Sequence, residues 1–301
     1  MIYSLLFVVN MLQFKVMKRY YLYDTLLVLG GMVIFFILIS LFPGGGINPQ
    51  YSTVVSAIFA IYIGFAISGS RSRCNDISAL LKEGNGYILL IHRLSYVFSD
   101  QIRNSLHSHI DNYLVETIDY KLEKHFSLSE RTFRQLYSFL LHLPCSDSKQ
   151  EDAYKNMMSA ANSLSINRTK TEALIKSNLS TAEWVATIVF MLITVSVFYF
   201  MSDGTVFNSL IYTIAVGGLL LLTVILKRSD SLKWDKNKWT WEPLNDLFAD
   251  LGLPLYYPAL LVENGEISLP PGRDVRLAYY PKPYPDLTDK VVKLVKATHE
   301  K

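Results

Sequence analysis

Between Thr25 and Ser70 the sequence contains no Asp, Glu, Lys, Arg or His. Between Trp184 and Leu226 it contains one charge, Asp203, inside the turn-forming run Ser202-Asp203-Gly204-Thr205. Helices in the core of a soluble protein rarely run so long without a charge, so these stretches exclude a wholly water-soluble chain. Cysteine is scarce as well: only Cys74 and Cys145 occur. Neither stands at metal-ligand spacing with a histidine, which excludes a disulfide framework and a zinc-type site. A block of basic residues is also missing. The 29 Lys and Arg are interspersed with 26 Asp and Glu for a net charge of +3, so the electrostatic footprint of a nucleic-acid binder is absent.

The usual constellations of catalysis are equally thin. His107-Ser108-His109 puts two imidazoles on different sides of a helix, the wrong arrangement for one metal ion. His92, His125 and His142 stand alone on amphipathic stretches, where a solvated or hydrogen-bonded histidine is the plain reading. Gly44-Gly45-Gly46 lacks the following Lys-Ser/Thr and the helix start of a phosphate loop. Asn167-Arg168-Thr169 and Asn178-Leu179-Ser180 match glycosylation sequons but fall on the side assigned below to the cytoplasm, so both are read as chance. No ionisable residue lies inside the apolar runs, which argues against proton-coupled transport and catalysis within the membrane. The expectation is a protein that is not an enzyme, with no catalytic residue, cofactor or metal site.

What is present is grease with a polar remainder: half the residues are apolar and 18% are charged, with a mean hydropathy of +0.23. A hydrocarbon core of about 30 Å needs about 20 helical residues. Leu22–Phe42 and Thr53–Ser70 supply two spans around the turn Pro43-Gly44-Gly45-Gly46-Ile47-Asn48-Pro49, and Ala182–Met201 and Phe207–Leu226 supply two more. Lys15, Lys18 and Arg19 precede the first span, Arg71 and Arg73 close the second, Arg168, Lys170 and Lys176 approach the third, and Lys227 and Arg228 close the fourth. Neither short loop carries a basic residue. Because Lys and Arg resist translocation, both termini and the middle segment are expected in the cytoplasm, in a bacterial inner membrane or an equivalent plasma membrane. Tyr20, Tyr21, Tyr23, Trp184, Tyr199 and Phe200 sit where an interfacial aromatic belt belongs.

The expected fold is an all-α membrane protein: four transmembrane helices in two hairpins, a helical cytoplasmic insert, and a C-terminal tail containing a short β-hairpin. Its divisions are an N-terminal cytoplasmic or interfacial segment (1–21), hairpin 1 (22–70), the insert (71–180), hairpin 2 (181–226) and the tail (227–301). Met1–Leu12 is apolar but lacks a basic leader and a small-residue cleavage site, so it does not read as a signal peptide; it reads as a short interfacial helix, with Met17 an alternative natural start. In the insert, 14 basic and 12 acidic residues accompany apolar positions at helical spacing. Ile102, Leu106, Ile110, Leu114, Ile118 and Leu122 mark one helix; Phe133, Leu136, Tyr137 and Leu140, ended by Pro144, mark a second; Gln150–Leu179 makes a third. No breaker follows Arg71 before Gly84 and Gly86, so the second span is expected to continue into the insert as one long helix. In the tail, Trp234, Trp239 and Trp241 among lysines suit either the headgroup layer or simple packing on the bundle. Leu260-Leu261-Val262 and Ile267-Ser268-Leu269 around Asn264-Gly265 predict the hairpin. Pro270–Pro285 predicts extended chain, and Thr288–Thr298 a short terminal helix.

The second span carries the one pattern usable for function. Ala57, Ala60, Gly64 and Ser68 form a small-residue stripe that permits close helix contact. Phe59, Tyr62, Ile63 and Ile67 face elsewhere; around an oligomeric axis they would form a hydrophobic constriction that gates by dewetting. The plain alternative is that they pack on neighbouring helices or lipid. Arg71 and Arg73 would stand at the cytoplasmic mouth of such a path and concentrate anions there.

The order of these features resembles a known family. Gly64-Phe65-Ala66-Ile67 ends the second span, Glu83-Gly84-Asn85 follows, Asp111-Asn112-Tyr113-Leu114-Val115 lies in the next helix, and Asn167-Arg168-Thr169 leads to Glu183-Trp184 at the third span. Over Thr53 to Leu226 the chain resembles the bestrophin-like membrane proteins of unknown function, remote relatives of the bestrophin anion channels. The resemblance implies a homo-oligomeric channel with the second span around the axis and a neck of apolar residues spaced four apart. Phe59, Ile63 and Ile67 have that spacing; so do Ile58, Tyr62 and Ala66. The chain departs from the family in its long tail after Leu226 and lacks an acidic cluster resembling the bestrophin calcium clasp. The implied function is an ion channel passing small inorganic anions, with the lipid bilayer and further copies of the chain as partners and no nucleic acid. The alternative is a membrane-anchored interaction or scaffold protein that conducts nothing.

Overall fold

A computed structural model describes residues 23–45, 50–120, 125–232, 242–263, 267–270, 272–282, 286–287 and 289–296. The expectations for Met1–Leu12, for Leu122 and for Trp234, Trp239 and Trp241 lie outside the described residues. Among the described residues four helices are long and apolar enough to cross a membrane: α1 (Tyr23–Leu41), α2 (Gln50–Leu94), α7 (Thr181–Met201) and α8 (Val206–Asp230). The protein is therefore a membrane protein of mainly helical fold. The described residues form two compact units: those within 23–75 with 178–232, and those within 76–177 with 242–296.

The apolar unit contains α1, the first part of α2, α7 and α8. Phe35 and Ile39 of α1 are buried with Val216 of α8, and Val195, Phe198 and Tyr199 of α7 pack on them. Close approach is possible because small residues face the contact: a side chain at Gly31 would collide with Leu220, and one at Gly217 with Met32. Four threonines of α7 and α8 satisfy their hydroxyls locally. Thr187, Thr194, Thr213 and Thr223 each donate to the carbonyl four residues earlier, the arrangement an apolar solvent demands.

Both hairpin turns meet at one end of this unit. Gly44 lies against the backbone of Tyr199 and Phe200, and Gly204, held at φ +78°, lies against Pro43. Asp203 closes the second turn by accepting from the amide and hydroxyl of Thr205 and from Asn208. α7 begins with a capping box in which Ser180 and Glu183 satisfy each other's backbone N–H groups. At the opposite end Arg228 pairs with Asp24.

The polar unit is a helical bundle. As expected from the absence of breakers, α2 continues to Leu94, passing through Gly84 and Gly86. A 3-10 turn (Ser95–Val97) follows, then α3 (Asp100–Asp119), capped by Ser99, the short α4 (His125–Leu128), α5 (Glu130–Leu141) and α6 (Ser148–Lys176), capped by Asp147. The three insert helices stand where the apolar spacing placed them. Leu106, Ile110 and Leu114 of α3, Leu136 and Leu140 of α5, and Met157 and Leu164 of α6 form the core with Ile88 and Ile91 of α2. At Gly84 an added Cβ would press on the Asn167 carboxamide at 3.2 Å, so the glycine sets the spacing of α2 and α6.

The tail joins this same core. After α9 (Glu242–Asp250), β1 (Leu255–Pro258) leads into α10 (Ala259–Glu263), then β2 (Val275–Tyr279) and β3 (Val291–Val295). β1 pairs parallel with β2, Leu255 opposite Val275, and β2 pairs antiparallel with β3, Val275 opposite Val295. Two local expectations are corrected here. Leu260–Val262 is helical, and the antiparallel pair is β2 with β3. The region from Thr288 is a strand over Val291–Val295 because its backbone pairs with β2. The extended reading of Pro270–Pro285 holds over Val275–Tyr279.

Candidate functional site

The face of α2 decides what the span can do. Phe59 and Ile63 are 0% and 1% exposed; they are buried with Leu226 of α8, and Trp184, Phe190 and Met191 of α7 pack around them. Tyr62 donates to the Glu183 carbonyl at 2.9 Å and its ring lies 5.3 Å from that of Phe190. Ile67 packs partly on the same cluster. The structure thus brings all four candidates onto the side of α2 that faces α7 and α8 of its own chain. Phe59 and Ile63 are buried in that packing.

The opposite side of α2 is open. Ile58, Ile61 and Phe65 are 48%, 61% and 75% exposed, and Val54, Ala57, Ala60, Gly64 and Ser68 are exposed with them. No heavy atom lies within 4 Å of a Cβ built at Gly64 or Gly69. Positions 54, 58, 61, 65 and 68 recur at intervals of four and three, so they form one longitudinal stripe on a helix. Val54, Ile58, Ile61 and Phe65 make it apolar, and the small residues Ala57, Ala60 and Gly64 lie beside it, without a charge.

Arg71 and Arg73 separate in the same way. Arg71 is exposed. Arg73 is buried, and its guanidinium donates to Asn178 Oδ1 at 3.0 Å, to Asp230 Oδ1 at 3.4 Å and to the Asp230 carbonyl. Asp230 also accepts from the Leu179 amide at 2.8 Å and the Trp184 indole at 3.1 Å. A buried charge persists only when paired and hydrogen-bonded, and here the pairing ties the end of α2 to the ends of α7 and α8. The hydropathy pattern marked Arg73 as a span-end cation but contained no signal for its partner.

Two further polar centres lie in the polar unit, and neither was found from sequence. Asp119 accepts from Tyr256 at 2.5 Å, Tyr280 at 2.6 Å and Lys290 at 2.5 Å. Burial, and then the Asp119 charge, raise both phenols above the ordinary tyrosine range and keep them as donors. Arg168 donates to Tyr113 Oη at 2.7 Å and the Phe126 carbonyl at 3.1 Å, with its guanidinium 4.3 Å from the Phe133 ring centre. Both centres join helices or strands. Among the described residues no group of His, Cys, Asp and Glu could hold a metal ion. Cys74 and Cys145 are free thiols.

Four spans in two hairpins, a helical bundle inserted between them and a small sheet closing the chain define a membrane protein of the bestrophin-type channel fold. The chain belongs to the Bestrophin-like domain family, which matches residues 44–228. A mutant of a bacterial bestrophin homologue from Klebsiella pneumoniae is similar in structure, with 12% identity and a TM-score of 0.60 over 76% of this chain and 97% of that one. A second mutant of that homologue gives 12% identity and 0.57 over 78% and 98%. A crystal structure described only as a membrane protein gives 12% identity and 0.61 over 77% and 98%. At this identity the likeness shows the fold. No curated protein matches the sequence.

Proposed function

We propose that the chain assembles with copies of itself into an ion channel, passing small inorganic anions, with α2 around the central axis. The observation that carries this reading is the open stripe of α2. Lipid is indifferent to side-chain size, whereas protein packed close against a helix favours small residues. The interleaving of Ala57, Ala60, Gly64 and Ser68 with Ile58, Ile61 and Phe65 therefore suits a face turned to other copies. Ile61 and Phe65, with the four-residue spacing of a bestrophin neck, form the constriction, and ions cannot cross such a ring once water leaves it. Tyr62, Phe59, Ile63 and Ile67 brace it from behind, on the side packed against α7 and α8.

Arg71, exposed at the end of the span, supplies the positive ring at the mouth. Arg73 supports that end through Asp230. Both hairpin turns share one end of the apolar unit, and basic residues gather at the other, which supports a bacterial inner-membrane protein with its termini and insert in the cytoplasm. The test is chloride flux in liposomes reconstituted with the purified chain. Flux above that of empty vesicles is expected; flux equal to it overturns the conducting reading and leaves a membrane-anchored interaction protein.

A further inference from the structure

Two imidazoles that are far apart in sequence meet in the polar unit. His92, in the last turn of α2, is buried, and its ring lies 5.3 Å from that of His107 on α3, tilted by 39°. The edge of Tyr96, from the 3-10 turn, closes another side at 5.5 Å. His107 is fixed in turn: its Nε2–H donates to the Leu251 carbonyl at 2.9 Å, after the end of α9. One ring contact therefore joins the end of α2 to α3, and through His107 to α9.

The surroundings of His92 are hostile to a proton. Arg93 lies on its own helix, and Arg103 and His107 face it from α3; burial first, then His107 and the two arginines, hold His92 below the ordinary imidazole range. Among the described residues no carboxylate acts on the ring. Asp100 is held by Arg103 at 2.9 Å, Asp111 by Arg276, and Asp250 precedes the carbonyl that binds His107. α6, packed on the 3-10 turn, turns Ala153 and Met157 inward and Glu151, Asp152 and Lys155 outward.

We propose that the His92–His107 contact is a proton-released latch that holds the C-terminal end of α2 on α3. A proton binds the released ring more readily than the latched one. The latch is therefore complete above the pKa of a free imidazole and is lost as pH falls through and below it. This device is independent of whether the protein conducts, since it concerns only the bundle.

Hydrogen exchange of the full chain in detergent, corrected for the intrinsic pH dependence of amide exchange, reads the latch directly. On going from about pH 7.5 to about pH 5.5, either side of a free imidazole pKa, amides of residues 88–98 are expected to lose protection while those in the middle of α6 keep theirs. His92→Phe preserves ring bulk without a titrating group, and His107→Gln removes the facing ring while keeping a donor for the Leu251 carbonyl. His92→Phe is expected to retain wild-type protection at the higher pH and to flatten the loss at the lower one, and His107→Gln to lower the protection of residues 88–98 already at the higher pH. The same loss in wild type and His92→Phe, no loss in wild type, or wild-type protection of residues 88–98 in His107→Gln at the higher pH overturns the latch. A variant that also loses protection in the middle of α6 marks a folding failure, and the other variant then decides.

Discussion

Arg73 on α2 and Asp230 at the end of α8 form an ion pair whose side chains are 8% and 11% exposed. Removing one member leaves the other charge buried without a counter-charge, which costs about 3–5 kcal/mol, whereas replacing both with uncharged residues of similar volume costs far less. Asp230→Asn is expected to lower the midpoint of thermal unfolding in detergent sharply, and Arg73→Met/Asp230→Asn to recover much of the loss. Additive losses in the double variant would show that the two charges are not coupled.

The two sides of α2 should respond to mutation in opposite ways. Phe59→Ala and Ile63→Ala remove fully buried groups, and truncations of this kind cost about 2–5 kcal/mol. Ile61→Ala and Phe65→Ala remove exposed groups and should leave the unfolding midpoint near wild type while raising chloride flux, because the proposed neck widens. Unchanged flux in both of the latter variants would remove the open stripe from the conducting path.

Asp119 gathers three donors from the tail onto α3. Asp119→Asn discards the charge that Lys290 pairs with, and hydrogen bonds to a charged group are worth about 1.5–3 kcal/mol. Faster cleavage by protease between β1 and β3, with the cleavage rate in α6 unchanged, is the expected result. Equal cleavage of variant and wild type would mean that apolar packing alone holds the sheet.

Arg168 fills a space lined by Tyr113, Phe126 and Phe133 and donates through both terminal nitrogens. A lysine carries the same charge but lacks the planar fork. Arg168→Lys is expected to destabilise the bundle by about 1.5–3 kcal/mol, the worth of the charged hydrogen bonds it loses, read as a lower denaturation midpoint. A wild-type midpoint would show that charge alone suffices.

The spans and the insert helices were legible because lipid and a water-facing bundle impose patterns that sequence displays directly. An uncharged run such as Thr25–Ser70 has one plain physical reading, and Leu106, Ile110 and Leu114 repeat at the period of a helix. The orientation of α2 was not legible. Inside a membrane both the packed and the open faces are apolar, so Phe59 and Ile58, one residue and about 100° apart, cannot be told apart by hydropathy. β3 was misread for a related reason. All five of its residues are exposed, which erases the two-residue alternation of a half-buried strand, while Lys290, Lys293 and Lys296 imitate a helical interval. The partners of Arg73, Asp119, Arg168 and His92 all lie on other elements, where spacing along the chain carries no signal.

Single-particle electron microscopy of the purified protein in detergent or nanodiscs shows whether α2 surrounds a central pore. A ring of identical chains with one α2 from each around an open axis, narrowest at Ile61 and Phe65, is expected. A monomer, or an oligomer whose Ile61 and Phe65 face the surrounding lipid, would contradict it.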